Sequence, residues 1–551
     1  MENIEDIYEL SPLQQGMLFH TLYSPDSGVY FEQRSCLLQG NLNVTIFQKA
    51  WQLVIERYSV LRTTFYWEEV EKPLQVVYKT VELPWIVEDW NSEDEERLET
   101  FLLADKKRGF NLNEAPLMRC ALIRVGKNAY RFVWSHHHLL MDGWCNGILL
   151  KEVLAFYEAL LQNKTLTLIP PRPYRDYILW LQEQNLEKAE TYWRQSLQSF
   201  TELTKLSIKL SKKQEIYQEE KLNLSSSLTT NLQAFAQQNR LTLNTIIQGA
   251  WAFILSRYSS ENDIVFGTTV SGRPPTIAGV DSIVGLFINT LPVRIKINSE
   301  TNLISWLQQI QEQQIEREQY SYSSLIDIQG WSEVPRGIPL FESLLVFENY
   351  PISLETILQE WHGILKISDT KGFEQTNYPL TLSVIPSSEL SLHISYDVGC
   401  FDADTIKQIL EHLELILSTI ATNPQSIQDL PLLTPSDEQK LFIEWNNTKQ
   451  LYSADKCIHQ LFEEQVEKTP DAIAVIFEDQ TLTYHQLNQK ANQLANYLKP
   501  CGVKPDELIG ICLEPSLEMI IGLLAILKAG CAYIPLDPNY PKERLDYIIQ
   551  E

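Results

Sequence analysis

The spacing of apolar residues along the chain predicts helices that alternate with strands. In 44–65, apolar residues recur at helical spacing as far as Tyr58 and then give way to a strand-like pattern. Tyr130–Trp134 alternates as a half-buried strand does, whereas Trp144–Leu161 returns to helical spacing. The intervening stretch, Ser135–Cys145, is therefore predicted to connect a strand to a helix.

The same patterns predict most of the remaining elements. Further strands are expected at Pro73–Val77, Leu117–Val125, Asp263–Val270 and Phe341–Phe347, with a β-rich segment at Val284–Arg294 and a hairpin of Tyr378–Val384 and Leu390–Tyr396. Further helices are expected at Tyr174–Trp180, within Leu186–Phe200, and at Leu243–Tyr258, Leu303–Tyr320 and Ala403–Thr419.

The length of the chain, 551 residues, is too great for one hydrophobic core and predicts several folding units. A proline-rich extended connection at Ile169–Arg175 separates a first lobe, 1–175, from a second lobe, 176–430. A polar, turn-rich stretch at 431–455 is interpreted as a linker. Helix and strand patterns then alternate through 456–551, which predicts the beginning of an α/β domain with a parallel sheet.

Composition narrows the classes of function. The formal net charge is −26 and no basic stripe is visible, which argues against binding to nucleic acid. The most apolar segment, Met519–Leu527, is much shorter than the about 20 residues that span a bilayer, and the acidic N-terminus does not resemble a signal peptide. The eight scattered cysteines include no C-x-x-C pair and are interpreted as reduced thiols. We expect a cytoplasmic protein with no membrane segment and no bound metal.

Candidate chemistry is concentrated in the Ser135–Cys145 connection, which holds three of the nine histidines in a row. An imidazole there can act at neutral pH as a general base or as a hydrogen-bonding anchor. Asp142 can orient a histidine or pair with an arginine, and Gly143 allows close approach of the backbone to a substrate. The alternative is that His136–His138 are ordinary loop or core histidines.

Several motifs in a fixed order carry a resemblance to a known family. His137-His138-x-x-x-Asp142-Gly143 resembles the active-site motif of the condensation domains of nonribosomal peptide synthetases. Other segments resemble further motifs of that family, in the family's order: Ser11–Gln14, Arg57–Phe65, Tyr174–Trp180, Val284–Arg294 and, more loosely, Arg336–Leu340. The resemblance runs from about residue 6 to residue 430. It implies an α/β fold of two chloramphenicol acetyltransferase-like lobes that form a V with a tunnel between them.

A second resemblance covers the end of the chain. Leu482–Leu487, Leu527–Pro538 and Tyr540–Leu545 are similar to the first core motifs of adenylation domains. No Gly/Ser/Thr-rich phosphate loop follows Asp537, so 456–551 is expected to be the N-terminal part of such a domain, unable by itself to activate an amino acid with ATP. A condensation domain followed by an adenylation domain is the usual order of an elongation module.

The resemblance implies that the chain is an enzyme that forms amide bonds. A donor aminoacyl or peptidyl thioester and an acceptor aminoacyl thioester would meet in the tunnel, each on the 4′-phosphopantetheine arm of a carrier protein. No cofactor bound by the condensation domain itself is expected. His138 would orient or deprotonate the acceptor amine and help to stabilise the tetrahedral intermediate. The Gly143 N–H would lie near the developing oxyanion.

Other residues near the motif have more than one interpretation. Asp142 is expected to hold the loop through an arginine, with Arg294 as the first choice and Arg62 as the second. His137 is counted with the site and is expected to be structural. Cys145 stands where the family often has serine and is either a nucleophile or a small packing residue, the second being favoured because the chemistry needs no acyl-enzyme.

Partner proteins follow from the same resemblance. We expect an upstream donor carrier on another polypeptide, a downstream acceptor carrier and a downstream adenylation domain. Met1–Leu10 is a hypothetical docking segment for the upstream protein. Two alternatives remain open from the sequence: a catalytically silent platform that recruits partner proteins, and a stand-alone acyltransferase that uses a soluble thioester.

Overall fold

A computed structural model of the chain describes residues 3–25, 27–206, 216–350, 365–451 and 454–551. The chain divides into two compact units, Met1–Glu438 and Gln439–Glu551. The hypothetical docking segment Met1–Leu10 lies partly outside the described residues. Among the described residues, no helix combines the length and the apolar character that crossing a membrane requires.

The first unit contains two main sheets with helices packed on them. Its strands are β1 (Ile4–Glu9), β2 (Phe31–Gly40), β3 (Thr63–Tyr66), β4 (Leu74–Tyr78), β5 (Trp85–Asp89), β6 (Met118–Gly126), β7 (Ala129–His137), β8 (Tyr217–Asn223), β9 (Asp263–Val270), β10 (Asn289–Lys296), β11 (Ser343–Phe347), β12 (Leu365–Phe373), β13 (Leu380–Ile385) and β14 (Ser391–Asp397). Its helices are α1 (Pro12–Tyr23), α2 (Val44–Arg57), α3 (Glu95–Arg108), α4 (Gly143–Leu161), α5 (Arg175–Gln182), α6 (Leu186–Ser196), α7 (Ser226–Asn239), α8 (Leu243–Ser259), α9 (Leu303–Glu318), α10 (Leu325–Trp331), α11 (Ala403–Ala421) and the short α12 (Pro435–Glu438).

The first main sheet has the strand order β12-β2-β7-β6-β5 and lies under α2 and α4. Trp51 of α2 is fully buried and packs on Phe132 and Trp134 of β7, with ring centroids 5.7 and 5.0 Å away. This contact buries one face of α2 against Phe132 and Trp134 of β7, whereas β7 is buried on both faces from Arg131 onward. The edge strand β12 (365–373) pairs with β2, although it comes after β8–β11 of the second sheet's region in the chain. A small sheet, β1-β4-β3, stands beside it.

The second main sheet has the order β10-β9-β11-β13-β14-β8 and mixes parallel with antiparallel pairs. Its core includes Trp251 of α8 and Leu382 of β13, both fully buried, together with the apolar stripe of α11. The predicted helices at Leu243–Tyr258 and Ala403–Thr419 are confirmed to within two residues at each end. Their strong apolar periodicity comes from burial against this sheet.

One predicted strand begins later than expected. The sequence predicts a continuous β-rich segment over Val284–Arg294, but β10 starts only at Asn289. The residues before it, Val284 to Ile288, are buried outside the strand, and their backbone groups contact the histidine loop. The expectation of a strand over 284–288 is therefore wrong.

The second unit is a small α/β assembly. Its strands are β15 (Ile473–Phe477), β16 (Gln480–Thr483), β17 (Leu508–Ile511) and β18 (Ala532–Pro535), and its helices are α13 (Ile458–Lys468), α14 (Tyr484–Leu498), α15 (Leu517–Lys528) and α16 (Lys542–Gln550). β15 and β16 form an antiparallel hairpin, whereas β17 and β18 are parallel and are joined through α15. The parallel pair agrees with the alternation of helix and strand in the sequence.

Candidate active site

The histidine loop is held between the end of β7 and the start of α4. His136 and His137 are the last residues of β7, and Asp142 is the N-cap of α4. The backbone N–H of His138 donates to the carbonyl oxygen of Tyr30 at 2.9 Å, which continues the β2–β7 pairing past the strand end. Gln14 of α1 donates to the carbonyl oxygen of Leu139 at 2.9 Å. The loop is therefore fixed by elements on both sides of it.

His138 bonds within the loop through one ring nitrogen, and the residue lines a cavity. Its Nδ1 lies 2.8 Å from the carbonyl oxygen of Met141 and 3.1 Å from a carboxylate oxygen of Glu32. Since a carbonyl oxygen only accepts, we assign the proton to Nδ1, and the neutral ring then carries its lone pair on Nε2. Burial lowers the pKa of His138, but the nearby Glu32, followed by Glu374, outweighs burial and raises it. This arrangement suits a group that accepts a proton or a hydrogen bond through Nε2.

His137 is turned into the protein. Its Nδ1 accepts a hydrogen bond from the backbone N–H of Leu139 at 3.2 Å, and its Nε2 lies 3.4 Å from the hydroxyl of Thr21. Burial, together with the neighbouring histidines, lowers the pKa of His137 to about 3. A neutral ring with both nitrogens engaged is consistent with the structural role expected for it.

Asp142 fastens the loop to the segment that precedes β10. Its Oδ2 accepts from the backbone N–H of Phe287 at 2.9 Å, and its Oδ1 lies 3.3 Å from Nη2 of Arg273. Both side chains of this ion pair are buried, with exposed fractions of 3% for Arg273 and 1% for Asp142. Arg273 also donates to the carbonyl oxygens of Val280 and Ile283. The loop is thus held by a buried, multiply bonded carboxylate.

The expected arginine partners of Asp142 are wrong. Arg294 pairs with Asp263 at 2.7 Å on the far side of β10, because β10 begins after the bend at 284–288. Arg62 pairs with Glu5 at 2.6 Å and bonds backbone carbonyls near β4. The sequence identified the type of contact that Asp142 makes, and the structure assigns it to Arg273.

Gly143 is the first residue of α4, where helix N–H groups have no intrahelical acceptor. A Cβ built at this position would lie 2.6 Å from Cζ of Tyr350, whose hydroxyl would be closer still. The Tyr350 ring therefore requires glycine here. This packing supplies a physical reason for the glycine that is independent of access by a substrate.

Cys145 is completely buried and its thiol is held in a network. Its Sγ lies 3.3 Å from Oδ1 of Asp142 and 3.2 Å from the carbonyl oxygen of Gly285. Burial and the charge of Asp142 raise the pKa of the Cys145 thiol. A protonated, enclosed thiol supports the packing interpretation over the nucleophile interpretation.

A second carboxylate, that of Glu374, lies near Nε2 of His138. Oε1 of Glu374 lies 3.7 Å from Nε2 of His138, and the Glu374 side chain is 45% exposed. Burial and the charge of Glu374 raise the pKa of Glu348 to about 7. Glu32, His138 and Glu374 place candidate ligand atoms within 4.8 Å of one another, a spacing that also permits a cation. The proton assigned to Nδ1 of His138 favours a hydrogen-bonded arrangement, and the absence of a bound metal stays a prediction.

A cavity of about 1200 Å³ connects the histidine loop to the second sheet. Its lining includes His138 and Gly143 from the loop, Thr268 from β9 and Gln248 from α8. A volume above the usual range of about 300–1,000 Å³ for small-molecule pockets accommodates two reactants that approach one centre.

Several residues of this site were not found from the sequence. Arg273 lies in Ser271–Pro275, which the sequence indicates only as a turn. Glu32 lies on β2 and reaches the histidines only through the cross-strand register, which places it directly opposite His136. An acid within an otherwise half-buried strand pattern is the signal that could have identified it.

Comparison with known proteins identifies the family of the chain. A family model described as "Condensation domain" matches residues 4–442, and one described as "AMP-binding enzyme" matches residues 462–551. The chain is 46% identical over 561 residues to a linear gramicidin synthase of Brevibacillus parabrevis, covering 100% of this chain and 11% of that protein. It is 39% identical over 564 residues to gramicidin S synthase 2 of Brevibacillus brevis, covering 100% of this chain and 12% of that protein. The chain thus spans a small part of the length of these relatives.

Solved structures show the same fold. A four-domain nonribosomal peptide synthetase bound to AMP and glycine aligns with a TM-score of 0.80 and 21% identity, covering 99% of this chain and 43% of that chain. The starter condensation domain of rhizomide synthetase aligns with a TM-score of 0.65 and 20% identity, covering 78% of this chain and 98% of that chain.

Fold, loop geometry and matches together define an α/β protein of the condensation-domain type. The chain belongs to the condensation-domain family, and the start of an AMP-binding domain follows in the same chain. The family predicted from the motif order is confirmed.

Proposed function

We propose that the first unit is the condensation domain of a nonribosomal peptide synthetase elongation module and forms an amide bond between two thioester substrates. The acceptor amine attacks the donor thioester carbon, the C–N bond forms, and the C–S bond breaks. The single observation that carries this proposal is the placement of His138: its Nδ1 is committed to the Met141 carbonyl oxygen, and the residue lines a cavity large enough for two substrates. His138 and Gly143 are the groups proposed to contact the reacting atoms, while Asp142 and His137 hold the loop.

Positioning supplies much of the proposed rate. Two tethered reactants held in line react as if at high local concentration, and a thioester is already reactive. The Gly143 N–H, at the N-terminus of α4, stands where it can stabilise negative charge on the tetrahedral intermediate. Nε2 of His138 accepts the proton that the amine loses.

The proposed substrates arrive on phosphopantetheine arms of carrier proteins. The donor carrier is proposed to act from the upstream side and the acceptor carrier from the downstream side. The relatives named as gramicidin synthases support a reaction between carrier-bound substrates. We also propose a cytoplasmic location, which the eight free cysteines support.

The experiment that tests this function supplies a donor aminoacyl carrier and an acceptor aminoacyl carrier and measures dipeptidyl carrier by intact-protein mass. Product with both carriers, and much less with free amino acid or a soluble thioester, is the expected result. Equal product with soluble thioesters would favour the stand-alone acyltransferase. Carrier binding without product, across several amino acids, would favour the silent platform.

A further inference from the structure

Glu32 is a buried carboxylate beside the active-site histidines. It lies on β2, and the β2–β7 register places it directly opposite His136. Its Oε1 lies 3.1 Å from Nδ1 of His138, and its Oε2 lies 3.3 Å from Nε2 of His136. Its side chain is only 3% exposed. One carboxylate therefore stands between two ring nitrogens.

The environment of Glu32 keeps it ionised. Burial alone raises the pKa of a carboxyl group, but His138 and His136, with Arg34, outweigh burial and lower the pKa of Glu32 well below its usual range. A buried anion costs free energy unless polar or charged neighbours offset that cost, and Glu32 lies within 3.1 Å of Nδ1 of His138 and 3.3 Å of Nε2 of His136.

His136 fits this interpretation. It is 1% exposed and stacks on Trp134 with ring centroids 5.1 Å apart. Within the described part of the chain, neither of its ring nitrogens makes a geometrically good hydrogen bond, and Glu32 is the carboxylate within ion-pair distance. One oxygen of Glu32 thus lies near His136 and the other near His138.

We propose that Glu32 is a positioning residue for His138, holding the proton on Nδ1 and making Nε2 a better proton acceptor. This inference rests on the proposed function. In the reaction, the attacking amine forms the C–N bond and transfers one proton to Nε2 of His138. The C–S bond then breaks, and the imidazolium returns that proton to the departing thiolate. Glu32 stabilises the imidazolium between these steps and exchanges no proton itself.

Other charged or titratable groups also face His138, and the test must separate Glu32 from them. Glu32 on β2, Asp142 at the start of α4 and Glu374 after β12 act on His138 directly, and His137 on β7 lies beside it. Arg34 on β2, His136 on β7 and Glu348 and Tyr350 after β11 interact with these carboxylates. Of these groups, Glu32 is the one that places a carboxylate oxygen 3.1 Å from Nδ1. Since an anion favours the protonated imidazole, removing its charge lowers the pKa of His138.

The decisive variant is Glu32→Gln in the full chain, which keeps the shape and removes the charge. NMR of ¹³C,¹⁵N-histidine-labelled protein, with His138 assigned by its loss in His138→Ala, is expected to show a lower pKa for His138. Single-turnover dipeptide formation is expected to fall by at least about 10-fold, with unchanged KM for both carriers. Glu32→Asp is expected to restore part of the rate.

A matched control is Glu152→Gln, the same chemical change in another well-enclosed ion pair of the first unit, with Arg57 at 2.9 Å. It is expected to leave the pKa of His138 and the rate unchanged. An unchanged His138 pKa and rate in Glu32→Gln would overturn the proposal.

If Glu32→Gln does not fold, wild-type protein still decides the matter. ¹⁵N shifts are expected to show the neutral ring protonated on Nδ1 and a pKa above that of free histidine, and a proton on Nε2 or a lower pKa would overturn the proposal. The NMR measurements need no turnover. A wild type that shows these shifts and makes no dipeptide would therefore refute the proposed function while leaving the role of Glu32 intact.

Discussion

Replacing Arg273 with glutamine tests whether the buried Asp142–Arg273 pair fastens the active-site loop. The change leaves the Asp142 carboxylate without its cationic partner, and it leaves the carbonyl oxygens of Val280 and Ile283 without their donors. Asp142 keeps the Phe287 N–H as a hydrogen-bond donor. The loop is therefore expected to open more often rather than to lose its fold.

The magnitude follows from burial. Breaking a buried ion pair by removing one partner costs about 3–5 kcal/mol. If that cost falls on local opening, amide exchange in the loop accelerates on the order of 10²- to 10³-fold, because each 1.4 kcal/mol is a factor of about ten. Arg294→Gln is the matched comparison. Its partner Asp263 is 36% exposed, so removing this ion pair is expected to cost about 1 kcal/mol of stability, at a site away from the histidine loop.

Hydrogen–deuterium exchange measured by mass spectrometry, on peptides that cover 139–146 and 283–290, reports this opening directly. Arg273→Gln is expected to lose protection in both peptides, and Arg294→Gln in neither. Unchanged protection in Arg273→Gln, or a larger loss in Arg294→Gln, would refute the assignment of Arg273 as the partner of Asp142.

Three further predictions concern the same loop. Gly143→Ala is expected to lower both dipeptide formation and the thermal unfolding temperature, because the added Cβ meets the Tyr350 ring. The double variant Gly143→Ala with Tyr350→Ala is expected to recover the unfolding temperature. Cys145→Ser is expected to keep turnover within about 10-fold, since the thiol is protonated and enclosed; complete loss with a native fold would restore the nucleophile interpretation. Treatment with EDTA is expected to leave the single-turnover rate unchanged. A rate that EDTA lowers and that added Zn²⁺ or Mg²⁺ restores would show that Glu32, His138 and Glu374 hold a metal.

Local periodicity was enough to predict the elements that carry the site. Phe132 and Trp134 of the strand ending in His137 pack in the same core as the apolar face of the helix starting at Gly143, and regular spacing of such residues is what periodicity records. The order of short motifs then indicated the family. Periodicity and short motifs both depend on residues that are close together in the sequence, so both can be recognised without knowledge of the fold.

The remaining features depend on contacts between distant segments. Asp142 is bonded by Arg273 and by the backbone of 284–288, a segment that lies outside β10 although its apolar composition is compatible with a strand. Glu32 reaches His138 because of the register between β2 and β7, which are separated by about a hundred residues. Contacts between distant segments are set by packing and turn geometry. A local sequence pattern can therefore indicate that Asp142 needs a cationic partner, but it cannot indicate which arginine that partner is.

The central claim is that Nε2 of His138 serves amide-bond formation in the shared cavity. The most direct test is single-turnover transfer between two aminoacyl carriers with wild type, His138→Ala and His137→Ala side by side, read by intact-protein mass. We expect dipeptide from wild type, a loss on the order of 10²- to 10⁴-fold in His138→Ala with carrier binding retained, and a smaller loss with reduced stability in His137→Ala. Equal dipeptide from wild type and His138→Ala would contradict the account and leave carrier positioning as the source of the rate.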